Sequence, residues 1–143
     1  MNWREDASEK AQADLDSLFN QSALLAQTLL ARNGEFYPFG ASLGTRGKFY
    51  LATPLPEAKQ PTSQDVIDEL VRDYSERNRS IRACVITTLG VLPDGSDAIK
   101  VDLEHKEGTS LSVILPIERA DDNGDLEFGN MAAIEGEHRV WAA

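Results

Sequence analysis

The chain has 143 residues, with 24 acidic against 14 basic side chains for a net charge of -10, and 41% apolar and 27% charged residues. That length fits one domain able to bury roughly 68–70% of its unfolded surface without help from disulfides or metals. The composition excludes a disordered chain, and the acidic excess repels phosphate backbones and anionic lipid. Neither nucleic acid nor a membrane is therefore an expected partner, whereas a basic protein would be attracted.

The opening Met1-Asn2-Trp3-Arg4-Glu5-Asp6 has no basic stretch followed by an apolar run, so no signal peptide is expected. No apolar stretch approaches the ~20 residues of a membrane-spanning helix. Cys84 is the single cysteine, which excludes an intrachain disulfide and fits a reducing compartment, so the cytoplasm is the expected location.

The first expected element is an amphipathic helix over residues 5–32. Leu15, Leu18, Leu25 and Leu29 fall at helical spacing, Ser22 completes the row, and Phe19, Ala26 and Leu30 widen it. Asn33-Gly34 ends the helix, since both residues tolerate a left-handed cap. Two strands, 36–43 and 48–52, follow around the turn Gly44-Thr45-Arg46-Gly47. Pro38 has no amide proton, which places the first of these at a sheet edge or gives it a bulge. Pro54, Pro56 and Pro61 mark a loop.

Thr62 then caps a second helix, with Asp65 completing an acidic capping box and Val66, Ile67, Leu70, Val71 and Tyr74 as its apolar face. Asp68–Arg72 and Asp73–Arg77 stand at i,i+4 in the favourable acid-first order. Alternation predicts strands through Ile81–Leu89, Ile99–Glu104 and Leu111–Ile117, separated by turns at Pro93-Asp94-Gly95-Ser96 and Lys106-Glu107-Gly108. Asp121-Asp122-Asn123-Gly124 turns the chain into Leu126-Glu127-Phe128, and residues 131–141 read equally as a strand or a short helix. The expected fold is α+β, in the order α-β-β-α-β-β-β. It has one antiparallel sheet of about five strands with two packed helices, an order shared by analogy with roadblock-like and profilin-like domains.

Motifs that carry chemistry fail on inspection. Gly40-Ala41-Ser42-Leu43-Gly44 matches the nucleophile-elbow pattern, but a strand rather than a helix follows the serine, so the glycines shape a hairpin. Gly44-Thr45-Arg46-Gly47-Lys48 lacks a glycine at Ser42 and a hydroxyl at Phe49, so it is no phosphate loop. Asp121, Asn123 and Asp125 alternate like calcium ligands, yet Leu126 stands where the loop needs glycine and Ala132 where it needs glutamate. No metal, cofactor or catalytic residue is expected. Glu104 and His105 are neighbours on a strand and so point to opposite faces. His105 shares parity with Ile99, Val101 and Leu103 and reads as a half-buried histidine. Arg82, two residues from Cys84 on the same strand face, would lower the thiol pKa somewhat. Phe36-Tyr37-Pro38-Phe39 gathers aromatics that either seal the sheet against the first helix or line a pocket or interface.

Gly34-Glu35-Phe36-Tyr37-Pro38-Phe39-Gly40, Asp97-Ala98-Ile99-Lys100-Val101, Leu103-Glu104-His105 with Gly108, and Phe128-Gly129 together resemble a family of short single-domain bacterial proteins. No activity attaches to that family, so the resemblance implies a shared fold and no mechanism. The chain departs from it at Pro116-Ile117, where relatives carry a tyrosine. The expectation is a non-catalytic protein-binding module, immunity-type or regulatory. The alternative is a small-ligand sensor or minor enzyme with a pocket between the Phe36–Phe39 strand and the sheet near His105. Candidate interaction residues are Phe36, Tyr37, Phe39, Glu104 and His105. A homodimer through edge-strand pairing is compatible with either.

Overall fold

Ser8 decides where the long helix begins. Its backbone is extended and its hydroxyl accepts the Ala11 amide at 3.0 Å, so α2 runs Glu9–Asn33 and a separate turn, α1 (Trp3–Asp6), precedes it. The single helix expected over 5–32 is therefore two. Gly34 closes α2 in the left-handed conformation (φ 74°) and donates its amide to Leu30 O at 2.8 Å. This computed structural model describes residues 2–54, 60–120 and 125–141.

The strands are β1 (Phe39–Gly44), β2 (Phe49–Ala52), β3 (Ile81–Val91), β4 (Asp97–His105), β5 (Ser110–Ala120), β6 (Asp125–Phe128) and β7 (Ala132–Glu135), with α3 (Ser63–Glu76) between β2 and β3. They form one seven-stranded antiparallel sheet in the order β2-β1-β3-β4-β5-β6, with β7 also on β5. The fold is α+β as expected, but the sheet is larger than about five strands. Residues 132–135 add a strand where a helix was equally expected.

β1 is not an edge strand: β2 lies outside it and β3 inside. Pro38 stands one residue before β1 and removes no ladder bond, and the sheet's irregularity falls at Leu43/Gly44 instead. Since β2 and β3 are each antiparallel to β1, they run parallel to one another, and α3 is the crossover of a split β-α-β unit.

Pro116 divides the far edge. Its carbonyl accepts the Gly129 amide at 2.9 Å, so its missing N–H faces the same outer side. There the outer chain breaks, with β6 paired to Ile117–Ala120 and β7 to Leu111–Ile114.

The two sheet faces are covered differently. On one, α2 packs Leu15, Leu18, Ala26 and Leu30 on Ala41, Val85, Ile99, Val101, Leu103 and Leu111. On the other, α3 packs Val66, Leu70 and Tyr74 on Cys84 and Ile86. The alternation expected along β3 is thus blurred, because both of its faces are buried.

α3 forms with the expected capping box at Thr62 and Asp65. Of the two ion pairs expected on it, Asp73–Arg77 is present at 2.7 Å, while Arg72 turns to Glu69 and Asp68 accepts from Gln64.

Close approach explains Gly40. A Cβ there would stand 2.9 Å from Leu70 Cδ2 and collide with the Tyr74 hydroxyl, which is buried with no hydrogen-bond partner among the described residues. Gly40→Ala should therefore destabilise by about 1–3 kcal/mol, the usual cost of overpacking. Urea unfolding should show this as a lowered midpoint at unchanged slope.

Candidate functional site

Beyond Gly34, which closes α2, residues 35–38 have no regular structure and lead directly into β1. Phe39 turns into the core and Phe36 packs on it, ring centroids 5.6 Å apart, so these two rings seal the sheet against α2. Tyr37 points the other way and is 50% exposed. It stands in an open groove of about 600 Å³ lined by Leu29, Asn33, Glu35, Phe36, Pro38, Thr53, Pro54 and Ser63. Among the described lining residues Glu35 carries the one charged side chain. The groove's aromatic and prolyl walls are interspersed with the polar side chains of Asn33, Glu35, Thr53 and Ser63, and its volume falls in the ordinary range for a binding cleft.

His105 lies elsewhere. It pairs with Ala83 on β3 whereas Phe39 pairs with Thr87, which separates them by about 13 Å along the strand direction and places them on opposite sides of β3. A pocket shared by the aromatic segment and His105 does not form.

His105 is 2% exposed and belongs to a buried polar cluster under the first turns of α2. Asp14 Oδ2 lies 2.9 Å from His105 Nε2, and Asp14 Oδ1 accepts from the Arg82 guanidinium at 2.8 Å. The Glu107 amide donates to His105 Nδ1 at 3.1 Å, so Nδ1 carries no proton and Nε2–H is the donor to Asp14. The Glu107 carboxylate, 4.0 Å from Nδ1, consequently makes no ion pair with it. Burial opposes ionisation of Asp14, but hydrogen bonds from His105 and Arg82 outweigh it and hold the carboxyl below its ordinary value.

An acid–histidine pair in a hydrolase leaves the second ring nitrogen facing a nucleophile. Here a backbone amide fills that position and the ring is sealed, so the pair serves as a buried strut. Asp14 could have been noticed in the sequence, because it sits within the apolar row Ala11, Leu15, Leu18, Ser22.

Glu104 faces the opposite side, as strand parity requires, and is 5% exposed. Its carboxylate accepts three successive amides of the C-terminal tail: Arg139 at 3.0 Å, Val140 at 3.1 Å and Trp141 at 2.7 Å. The tail is fastened further by Ser75 to Arg139 O, Asn78 to Val140 O, the Trp141 indole to Asn78 O, and Arg139 to Asp102. It crosses β5 at Gly136, where a Cβ would meet the Leu111 backbone at 2.9 Å. The tail thus covers the part of this face that α3 leaves open.

The remaining candidates are closed. Ser42 is 1% exposed in the middle of the sheet, between Tyr50 and Cys84. Burial, and after it the Glu104 charge, raises the Cys84 thiol pKa, while Arg82 is directed to Asp14 on the other face. The lowering by Arg82 expected from the sequence is therefore reversed. Among the described residues no three His, Cys, Asp or Glu side chains converge as a metal site. The acidic turn at 121–124 lies outside the described residues. Among the described residues no helix is long and apolar enough to cross a membrane.

No family model, curated protein or solved structure matches the chain. The analogy to roadblock-like and profilin-like domains, drawn from element order, accordingly carries no functional argument.

Proposed function

We propose that this protein is a non-catalytic binding module that holds a basic, extended segment of a protein partner in the groove around Tyr37. The observation that carries the reading is a contrast. Tyr37 stands open in a groove with aromatic walls, while Ser42, Cys84, Glu104 and His105 are sealed in the core. Charge sets the occupant: the net charge is -10, Glu35 lies in the groove, and no lysine or arginine is among its described lining residues. A lysine or arginine of the partner would meet the Tyr37 face and the Glu35 carboxylate together. A regulatory or immunity-type role needs only such occupancy, without turnover.

The test is fluorescence anisotropy with short labelled peptides, one set basic and aromatic, the other with its charges reversed. Basic peptides should bind preferentially and weaken with salt. Tyr37→Ala and Glu35→Lys should each reduce affinity about tenfold or more, with little change in stability because both side chains are exposed. Equal binding of both peptide sets, or a Tyr37→Ala protein that binds like the parent, would remove the proposal. The groove volume also suits a small molecule. That second reading is favoured if peptides fail while a metabolite raises the melting temperature of the parent but not of Tyr37→Ala.

A further inference from the structure

A second cavity lies about 21 Å along α2 from the groove, reckoned from Leu15 to Leu29. It has a volume of about 140 Å³ and sits between the first half of α2 and the β4–β5–β7 region of the sheet. Leu15, Phe19, Leu103, Leu111, Val113 and Ala133 form its walls, and Trp3 of α1 roofs it. The cavity is partly open to solvent, because Arg4, Met131 and Ala133 among its lining residues are exposed. Larger side chains at Val113 or Ala133 would fill it.

The polar groups at its mouth satisfy one another. Arg4 donates two hydrogen bonds to Asp16, at 2.7 and 3.0 Å, while its guanidinium lies 4.5 Å above the Trp3 ring. Neither charge is left for a ligand, and the walls offer no hydrogen-bonding side chain. The roof is hinged. Ala7 is extended between α1 and α2, and α1 is held down by the exposed Arg4–Asp16 pair and by Gln12 donating to Arg4 O and Ala7 O. Surface contacts of this kind yield readily.

We infer that this cavity is a binding site for a small neutral apolar molecule, the size of one aromatic ring or a short branched alkyl group, with α1 as its lid. Its volume is close to the roughly 150 Å³ of an apolar cavity that takes up benzene, and most of its lining is likewise apolar. The site is independent of the groove at Tyr37.

Toluene is the probe, and the indole N–H resonances of Trp3 and Trp141 are the readout, the second as an internal control on the far side of the sheet. Titration should shift the Trp3 signal saturably, leave Trp141 unmoved and raise the melting temperature. Benzoate, of similar shape but charged, should bind at least tenfold more weakly. Ala133→Phe, on an exposed edge strand, should fill the cavity and abolish the Trp3 response while the protein remains folded. Should that variant not fold, Val113→Ile, which shrinks the cavity by one methylene, should weaken toluene binding instead. An unmoved Trp3 signal in the parent protein, or equal binding of benzoate, would overturn the inference.

Discussion

Asp14→Ala is expected to destabilise the protein by about 3–5 kcal/mol, the usual consequence of removing one partner from a buried charge pair. The substitution leaves the Arg82 guanidinium and the His105 Nε2–H facing an empty space beneath α2. It also leaves Arg82 Nε, already buried without a partner among the described residues, in a site that has lost its counter-charge. Asp14→Asn keeps the shape and one acceptor oxygen, so it should cost less, about 1–3 kcal/mol. Urea unfolding at neutral pH separates the two.

The same carboxylate predicts a pH dependence. The Asp14 pKa is lowered in the folded protein relative to its unfolded value of about 3.9. Its contribution is therefore complete above the unfolded value and disappears as the pH falls through the lower, folded one. Stability of the parent should decline from about pH 4 downward more steeply than that of Asp14→Asn. Parallel curves for the two proteins would show that Asp14 is not held ionised by its neighbours.

Glu104→Ala should cost about 2–4 kcal/mol and release the C-terminal tail. Three amides lose a charged acceptor at once, and each such bond contributes about 1.5–3 kcal/mol when its donor stays buried. The full sum is not expected, because the tail can lift off and hydrate its amides. What is lost is then its docking, including the buried Val140 and the bonds from Ser75 and Asn78. Amide exchange at residues 139–141 should accelerate by about a hundredfold or more, and Trp141 emission should shift to the red, while the α2 amides keep their protection. Retained protection at 139–141 would place the anchor of the tail elsewhere. Glu104→Gln should fall between, since its amide group brings donors toward three N–H groups that need acceptors.

These two acids show why a residue type does not by itself assign chemistry. Glu104 and His105 are an acid and an imidazole side by side in the sequence, yet the residues face opposite layers and each is used up by its own layer. Glu104 is bonded to the tail and His105 to the long helix. Tyr37 carries no reactive group and is the candidate that remains open to a partner.

Several features were legible because they depend on neighbours within a few residues. Thr62 and Asp65 announce the start of α3, and Gly34 the end of α2, since a cap is a hydrogen bond three or four residues long. The inward rows Ile99–Leu103 and Leu111–Ile117 are visible because strand parity is local, as are the turns at 93–96 and 106–108.

The rest is decided by partners far apart in the chain. Asp14 enters the core only because Arg82 and His105, 68 and 91 residues away, meet its charge there. β1 becomes an interior strand because the split β-α-β crossover brings β3 to its side, which a proline just outside the strand does nothing to prevent. The tail takes an irregular path because Glu104 supplies the acceptors that a helix or sheet would otherwise provide. Periodicity therefore determined which residues turn inward, and long-range pairing of charges and backbone amides determined what they meet.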